Sequence, residues 1–388
     1  MLSAIGLLQD AQLESGLNDF GSMEFAEGLN ILVTAINNEA GLTAENETRY
    51  RLALLRLLVN RLRMQRDIAR HPEILDEEIL PPVFITSLPR TGSTKLHRLL
   101  AATGDFNAMK FWQVFNFARV DDGPAVDPDP APDPREALAR EFLDWFKTRS
   151  SQAHEAHPMY WDEAEEETFL LDASFSSPYW HVAFLEVPSY IEWCLRCDPH
   201  QGFNDVRRIL QYMQWQYFRG QKRRWILKTP TTLGREGVFD DVFKGTDFIV
   251  THRHPEKIVA SSCATVSGTR QLYNDTDYSH ATAEHVLYGF GETSQYHLQW
   301  RAQHPAEKVL DVRFEDVIGN EMALLATIYR FLGMSFTETS RRNVQAWLDK
   351  DARRGRPPGR FTLAEYGVTP AQVNERFAGY IARYQAFL

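Results

Sequence analysis

Arg90-Thr-Gly-Ser-Thr94 places a guanidinium, a glycine and three hydroxyls in one turn, directly after Val83 to Ile85, an apolar run with the length and branching of a buried strand. From Ser93 onward Leu96, Leu99 and Leu100 recur at helical spacing as far as Gly104, a C-terminal cap. A strand that turns tightly onto a helix leaves backbone N–H groups converging on one spot, where the helix dipole also favours negative charge. The chemistry open to these residues is the holding of an anion. A second junction of the same kind follows. Arg253 ends the run Asp247-Phe-Ile-Val-Thr-His-Arg, Pro255 suits the first position of a helix, and Ser261 lies eight residues beyond Arg253, about two helical turns. An arginine and a hydroxyl so spaced can share one phosphate, which a planar guanidinium grips with two parallel bonds.

The turn is not that of a nucleoside triphosphate hydrolase. A Walker A loop reads G-x-x-x-x-G-K-[ST], whereas Ser93 follows Gly92 here and no glycine lies five positions upstream. Two further groups could act on a bound anion. Lys228 stands near the end of Trp225-Ile-Leu-Lys-Thr229, and an acidic run, Asp162-Glu-Ala-Glu-Glu-Glu167, follows His154 and His157. Acidic runs more often solvate a helix face or cap its first turn, and the residues alone favour that reading. The aromatics after it, Phe169, Phe175, Tyr179, Trp180, Phe184, Tyr190 and Trp193, are expected to be mostly core, with some reaching a pocket. Cys194 and Cys197 have zinc or redox spacing, but Cys263 is far away and no second pair exists, so the pair reads as structural.

The elements that must position these groups alternate. Val83 to Ile85, Trp225 to Thr229, Asp247 to Arg253 and Val309 to Glu315 are candidate strands separated by helical stretches. This pattern predicts a parallel sheet covered on both faces, a three-layer α/β fold. Residues 1–80 read as helices without chemistry, their arginines on a solvated face. Asp121 to Pro134, with five prolines and five aspartates, reads as an extended exposed loop. Arg353-Arg-Gly-Arg-Pro-Pro-Gly-Arg360 reads as a basic loop. A formal charge of −10 should repel nucleic acid and anionic lipid, so any nucleotide needs a local basic cluster. With three cysteines, no basic lead-in at the apolar N-terminus and no run of 18 apolar residues, the expectation is a cytoplasmic protein without a secretory signal or membrane span.

Leu88-Pro-Arg-Thr-Gly-Ser-Thr94 resembles the loop with which sulfotransferases hold the 5′-phosphosulfate of 3′-phosphoadenosine 5′-phosphosulfate (PAPS), and the spacing of Arg253 and Ser261 resembles the pair that holds its 3′-phosphate. The likeness runs from about residue 10 to the C-terminus. Trp225-Ile-Leu-Lys-Thr-Pro230 is similar to the family's strand ending in K-[ST]-P, Arg313-Phe-Glu-Asp316 to its R/Y-[FY]-E-D strand, and Arg360-Phe-Thr-Leu-Ala-Glu-Tyr-Gly367 to a terminal element. Gly16 to Gly21, His71 to Leu75 and Asp162 to Glu166 resemble elements of a large bacterial branch with a helical leader.

The resemblance implies a P-loop NTPase-like parallel sheet flanked by helices, with helical N-terminal and substrate-side additions. It implies one sulfotransferase domain over 1–388: a helical extension at 1–80, a nucleotide-binding core at 81–330 with an insertion at 120–220, and a C-terminal helix and nucleotide-covering loop at 331–388. PAPS would be the co-substrate, without a metal, and the acceptor a hydroxyl or amine of a small apolar or aromatic molecule; a homo-oligomer stays open. Arg90, Thr91, Gly92, Ser93 and Thr94 would hold the phosphosulfate, Arg253 and Ser261 the 3′-phosphate, and Arg353, Arg354 and Gly355 would close over it. Lys228 would serve the bridging oxygen. The general base would be Glu166, with Glu165 and His157 as rivals, its acidity weakened by burial and by its acidic neighbours. Two departures stand out: His254 where relatives read aspartate, and Thr232 where some carry a histidine. A small-molecule kinase with a P-loop-like core and a non-catalytic nucleotide-binding homologue remain as alternatives.

Overall fold

The computed structural model describes residues 1–120, 133–177, 180–274, 276, 279–304, 308–355 and 361–388. Strands β1 (Val83–Thr86), β2 (Ile226–Lys228), β3 (Asp247–His252) and β4 (Val309–Arg313) form one parallel sheet in the order β2-β1-β3-β4. Ile85 lies opposite Lys228 on one side and Ile249 on the other. Every residue of β1 is buried, because both faces of the sheet are covered. Val83, Ile85, Ile226, Ile249 and Val312 enter one core, while Phe84, Leu227, Phe248 and Val250 enter another. The alternation of side chains along a strand sends neighbours into opposite layers, which explains the uninterrupted apolar runs. The three-layer α/β expectation is met.

The helices that position the site are α1 (Ala4–Ser15), α2 (Phe25–Glu39), α3 (Ala44–Arg70), α4 (Ser93–Ala102), α5 (Pro134–Arg149), α6 (Trp180–Phe184), α7 (Pro199–Tyr217), α8 (Pro255–Arg270), α9 (Ser279–Gln303), α10 (Glu338–Arg354) and α11 (Ala378–Tyr384). The first three form the leader. Its arginines do not all lie on a solvated face as expected. Arg61 is buried, bonds Asp205 on α7 at 2.8 Å and the Ala173 carbonyl at 2.9 Å, and lies 4.2 Å above the Phe25 ring. Arg56 donates to the Phe115 carbonyl and covers that ring at 4.0 Å. The leader is sealed against the middle of the chain, so its cations serve as ties to otherwise unpaired carbonyls.

At the other end, His252 on β3 bonds Tyr380 Oη at 2.7 Å and Asp311 on β4 at 2.9 Å, and His297 joins Glu236 at 2.6 Å to Tyr384 Oη at 2.7 Å. The His252 bond fastens α11 to the sheet, and the His297 bond fastens it to α9. Among the described residues no helix is long and apolar enough to cross a membrane. The segment 121–132 and the greater part of the basic loop, 356–360, fall outside the described residues.

Candidate active site

The turn after β1 is built as its sequence demands. Gly92 caps α4 with φ of 84°, and a Cβ there would meet Phe314 and Val317 at 3.2 Å, so only glycine fits. Arg90 also takes a left-handed conformation, φ 67°, unusual for a residue with a side chain and a form of backbone strain that clusters at ligand sites. The first bond of the α4 ladder runs from Leu96 N–H to the Gly92 carbonyl, which leaves the preceding amides outside it. Thr91 faces inward: its hydroxyl donates to Leu88 O at 3.0 Å and meets Thr251 Oγ1 at 2.6 Å. That threonine pins the turn to β3, while Ser93 and Thr94 line an adjoining cavity.

The two junctions meet. Arg90 Nε donates to Ser261 Oγ at 3.0 Å, and Arg253 Nη1 donates to the Arg90 carbonyl at 3.1 Å. The Arg253 guanidinium lies 4.0 Å over the Phe314 ring, and partial burial lowers its pKa. His254, at the position of the missing aspartate, still caps α8 through Nδ1, which accepts from Glu256 N–H at 3.4 Å. Thr232 is buried beside the cavity-lining Pro230.

The adjoining cavity, about 170 Å³, is lined at its polar end by Arg90, Ser93, Thr94, His157, Glu166 and Lys228. Its other end is closed by Val182 on α6, Val266 and Thr269 on α8, and Val286 and Phe290 on α9. The reading of the sequence named none of these last five. Those on α8 were within reach, since Ser262, Thr265, Val266 and Thr269 continue the face of Ser261 at helical spacing.

The acidic run is not a solvated turn. Glu163, Glu165, Glu166 and Glu167 are all at most 6% exposed. Four buried carboxylates need partners or protons, and each has its own arrangement. Glu163 accepts from Trp347 at 2.8 Å, Lys350 at 2.9 Å and Arg354 at 2.8 Å, all on α10. Glu165 is not among the residues lining the cavity and meets Arg98 at 3.3 Å, with His157 Nε2 at 3.8 Å. Burial alone would raise its pKa, but His157, Arg98 and Lys228 outweigh that and hold it well below the usual carboxylate range. Glu166 is ion-paired with the Lys228 ammonium and accepts from Thr168 Oγ1 at 3.2 Å. Lys228 Nζ also donates to Thr94 Oγ1 at 3.0 Å, so one cation spans the loop and the acidic run.

Glu167 accepts from the Lys228 amide at 2.9 Å, and its other oxygen has no hydrogen-bond partner among the described residues. Burial, reinforced by repulsion from Glu166, pushes its pKa up to about 8. The sign follows. The folded chain keeps this proton until about pH 8, whereas the unfolded chain gives it up near 4.5, so stability falls as pH rises between the two. Glu167→Gln copies the neutral acid. The variant's stability advantage over wild type is expected to grow from pH 5 to pH 8, towards a few kcal/mol on the order of 1.4 per pKa unit. Denaturant melts of both proteins across that range check it; a constant difference would mean that Glu167 is ionised when folded.

Arg354 is held on Glu163 and lies 3.9 Å over the Tyr160 ring, Arg353 Nε donates to the Asp349 carbonyl at 2.9 Å, and Gly355 ends α10 with φ of 66°. None of the three lines the cavity. His157, Glu165 and Glu166 bring one ligating atom each within 4.8 Å of one another, the spacing of a metal pocket, but Arg98 and Lys228 already supply positive charge there.

A sequence model described as the Sulfotransferase family matches residues 81–338. The omega-hydroxy-beta-dihydromenaquinone-9 sulfotransferase Stf3 of Mycobacterium bovis is 25% identical over 325 residues, 78% of this chain and 75% of that protein. Among solved structures, the sulfotransferase STF1 from Mycobacterium tuberculosis H37Rv superposes with a TM-score of 0.78 at 28% identity, over 97% of this chain and 99% of that one. The sulfotransferase STF9 from Mycobacterium avium shares the fold, with a TM-score of 0.86 at 21% identity over 99% and 97% of the two chains.

Proposed function

The chain belongs to the sulfotransferase family, and from that premise we propose that it transfers the sulfuryl group of PAPS to the hydroxyl of an apolar acceptor. The observation that carries this reading is the joining of the two anion junctions through Arg90, whose side chain reaches Ser261 while its carbonyl holds Arg253. Two anionic groups of one nucleotide, a 5′-phosphosulfate on the α4 amides and a 3′-phosphate on Arg253 and Ser261, suit that pairing. The loop chemistry fits: a glycine that lets the backbone approach, two hydroxyls and two cations around one cavity.

Sulfuryl transfer needs in-line positioning, neutralised oxygens and a place for the acceptor's proton. In the resting site the Lys228 ammonium neutralises Glu166. A phosphosulfate on the loop draws Lys228, already bonded to Thr94, towards the bridging oxygen and frees the Glu166 carboxylate for the acceptor. The acceptor oxygen then bonds sulfur as the bond from sulfur to the bridging oxygen breaks. The hydroxyl proton passes to Glu166, and adenosine 3′,5′-bisphosphate leaves with its new charge beside Lys228. Glu165 is a poor rival, being tied to Arg98 and absent from the cavity lining; it positions the run instead. Stf3 of Mycobacterium bovis is named for an omega-hydroxy acceptor, and the valines and phenylalanine facing Lys228 suit an apolar alcohol here too. The test is label transfer. Sulfur-labelled PAPS should label an alcohol acceptor while γ-labelled ATP does not; transfer from ATP alone would favour the kinase alternative.

A further inference from the structure

The leader and α5 enclose a second cavity, about 370 Å³, walled by aromatic rings. Tyr50 on α3, Phe142 and Trp145 on α5, Phe169, Phe184 on α6 and Tyr273 line it. It neighbours the reaction cavity along three separate segments, each of which lines both. Glu166 faces the reaction cavity and Phe169 the aromatic one; Val182 and Ala183 face the first, His181 and Phe184 the second; Thr269 faces the first, Tyr273 the second. Between the cavities two of these segments are tied together by Thr269 Oγ1 donating to the Ala183 carbonyl at 2.7 Å.

A reaction cavity of about 170 Å³ is smaller than the several hundred Å³ of sites that take a drug-sized molecule. The aromatic cavity has twice that volume and offers apolar rings rather than paired charges along most of its wall. Two of its polar groups are spoken for: Tyr50 Oη bonds His181 Nδ1 at 2.7 Å, and Arg56 is committed to the Phe115 carbonyl. We infer that the aromatic cavity takes the hydrocarbon chain of a long aliphatic alcohol whose hydroxyl lies at Lys228 and Glu166, the layer between Thr269 and Ala183 parting as the chain enters. This deepens the acceptor side of the transfer reading and rests on it. The occupant is a chain rather than a second nucleotide, because aromatic walls reward apolar area removed from water and the three arginines on the wall, Arg49, Arg56 and Arg63, are matched in number by Glu14, Glu141 and Asp172.

The experiment has two arms. In the first, KM is measured with labelled PAPS for straight-chain alcohols from hexan-1-ol to dodecan-1-ol. KM should fall with each added methylene, by up to about fourfold per group if fully buried. Ala53→Trp, which fills the cavity from α3, should abolish that dependence while adenosine 3′,5′-bisphosphate still binds as a check of the fold. The second arm needs no turnover. 11-Bromoundecan-1-ol should quench tryptophan fluorescence in wild type, and much less in Trp145→Phe. Quenching without any sulfation would uphold the chain site and count against the transfer reading. Sulfation with a KM indifferent to chain length, and no quenching at Trp145, would overturn the inference and leave the transfer reading intact.

Discussion

Glu166→Gln is expected to keep the fold and bind PAPS while losing roughly 10²–10⁴-fold in turnover, the usual worth of a positioned base. The substitution is chosen for what it preserves. The glutamine carbonyl can still accept from Lys228 Nζ where Glu166 Oε1 does, and its amide nitrogen can meet the Thr168 hydroxyl in place of Oε2. What disappears is the capacity to take a proton. Glu165→Gln should behave differently, since its carboxylate faces Arg98 inside the protein and not the cavity: its loss leaves a buried guanidinium with a weaker partner and shows first in stability. Single-turnover rates and melts of the two variants separate the roles. A Glu166→Gln enzyme of normal rate beside a dead but stable His157→Ala enzyme would move the base to His157, which also lines the cavity.

Arg253→Ala is expected to remove the preference for a 3′-phosphate. Truncating one partner of a buried charge-assisted pair costs on the order of 2–5 kcal/mol, about 30- to 4,000-fold in affinity. Arg253 also holds the Arg90 carbonyl, so a general loosening of the loop must be told apart from a lost phosphate contact. The comparison nucleotide does this. If Arg253 only braces the loop, affinities for adenosine 3′,5′-bisphosphate and for 5′-AMP fall together; if it reads the 3′-phosphate, only the first falls.

The sheet could be read because β1 and β3 are short, branched and apolar on both sides, and each is followed at once by a turn and a helix start. Each junction could be read on its own, since each is encoded within about ten residues, whereas the contact of Arg90 with Ser261 joins residues 171 apart and no local spacing marks it. The acidic run could not be read in the same way. Its burial depends on cations brought from far along the chain: Lys228 stands 62 residues from Glu166, and Lys350 stands 187 residues from Glu163. Without those partners an acidic cluster is correctly expected in water. The same holds for Arg61, whose partner Asp205 is 144 residues away. Helix α9 shows a different limit. It mixes polar and apolar residues around its axis, so nothing local marks Val286 and Phe290 as the pair that closes the reaction cavity.

The most direct test of the central claim, that the two joined junctions read both ends of one nucleotide, is calorimetric titration of the wild-type protein with adenosine 3′,5′-bisphosphate and with 5′-AMP under one buffer and salt. The account predicts tight binding of the bisphosphate and binding of 5′-AMP weaker by the 30-fold or more assigned to Arg253. Equal affinity for the two nucleotides would contradict it.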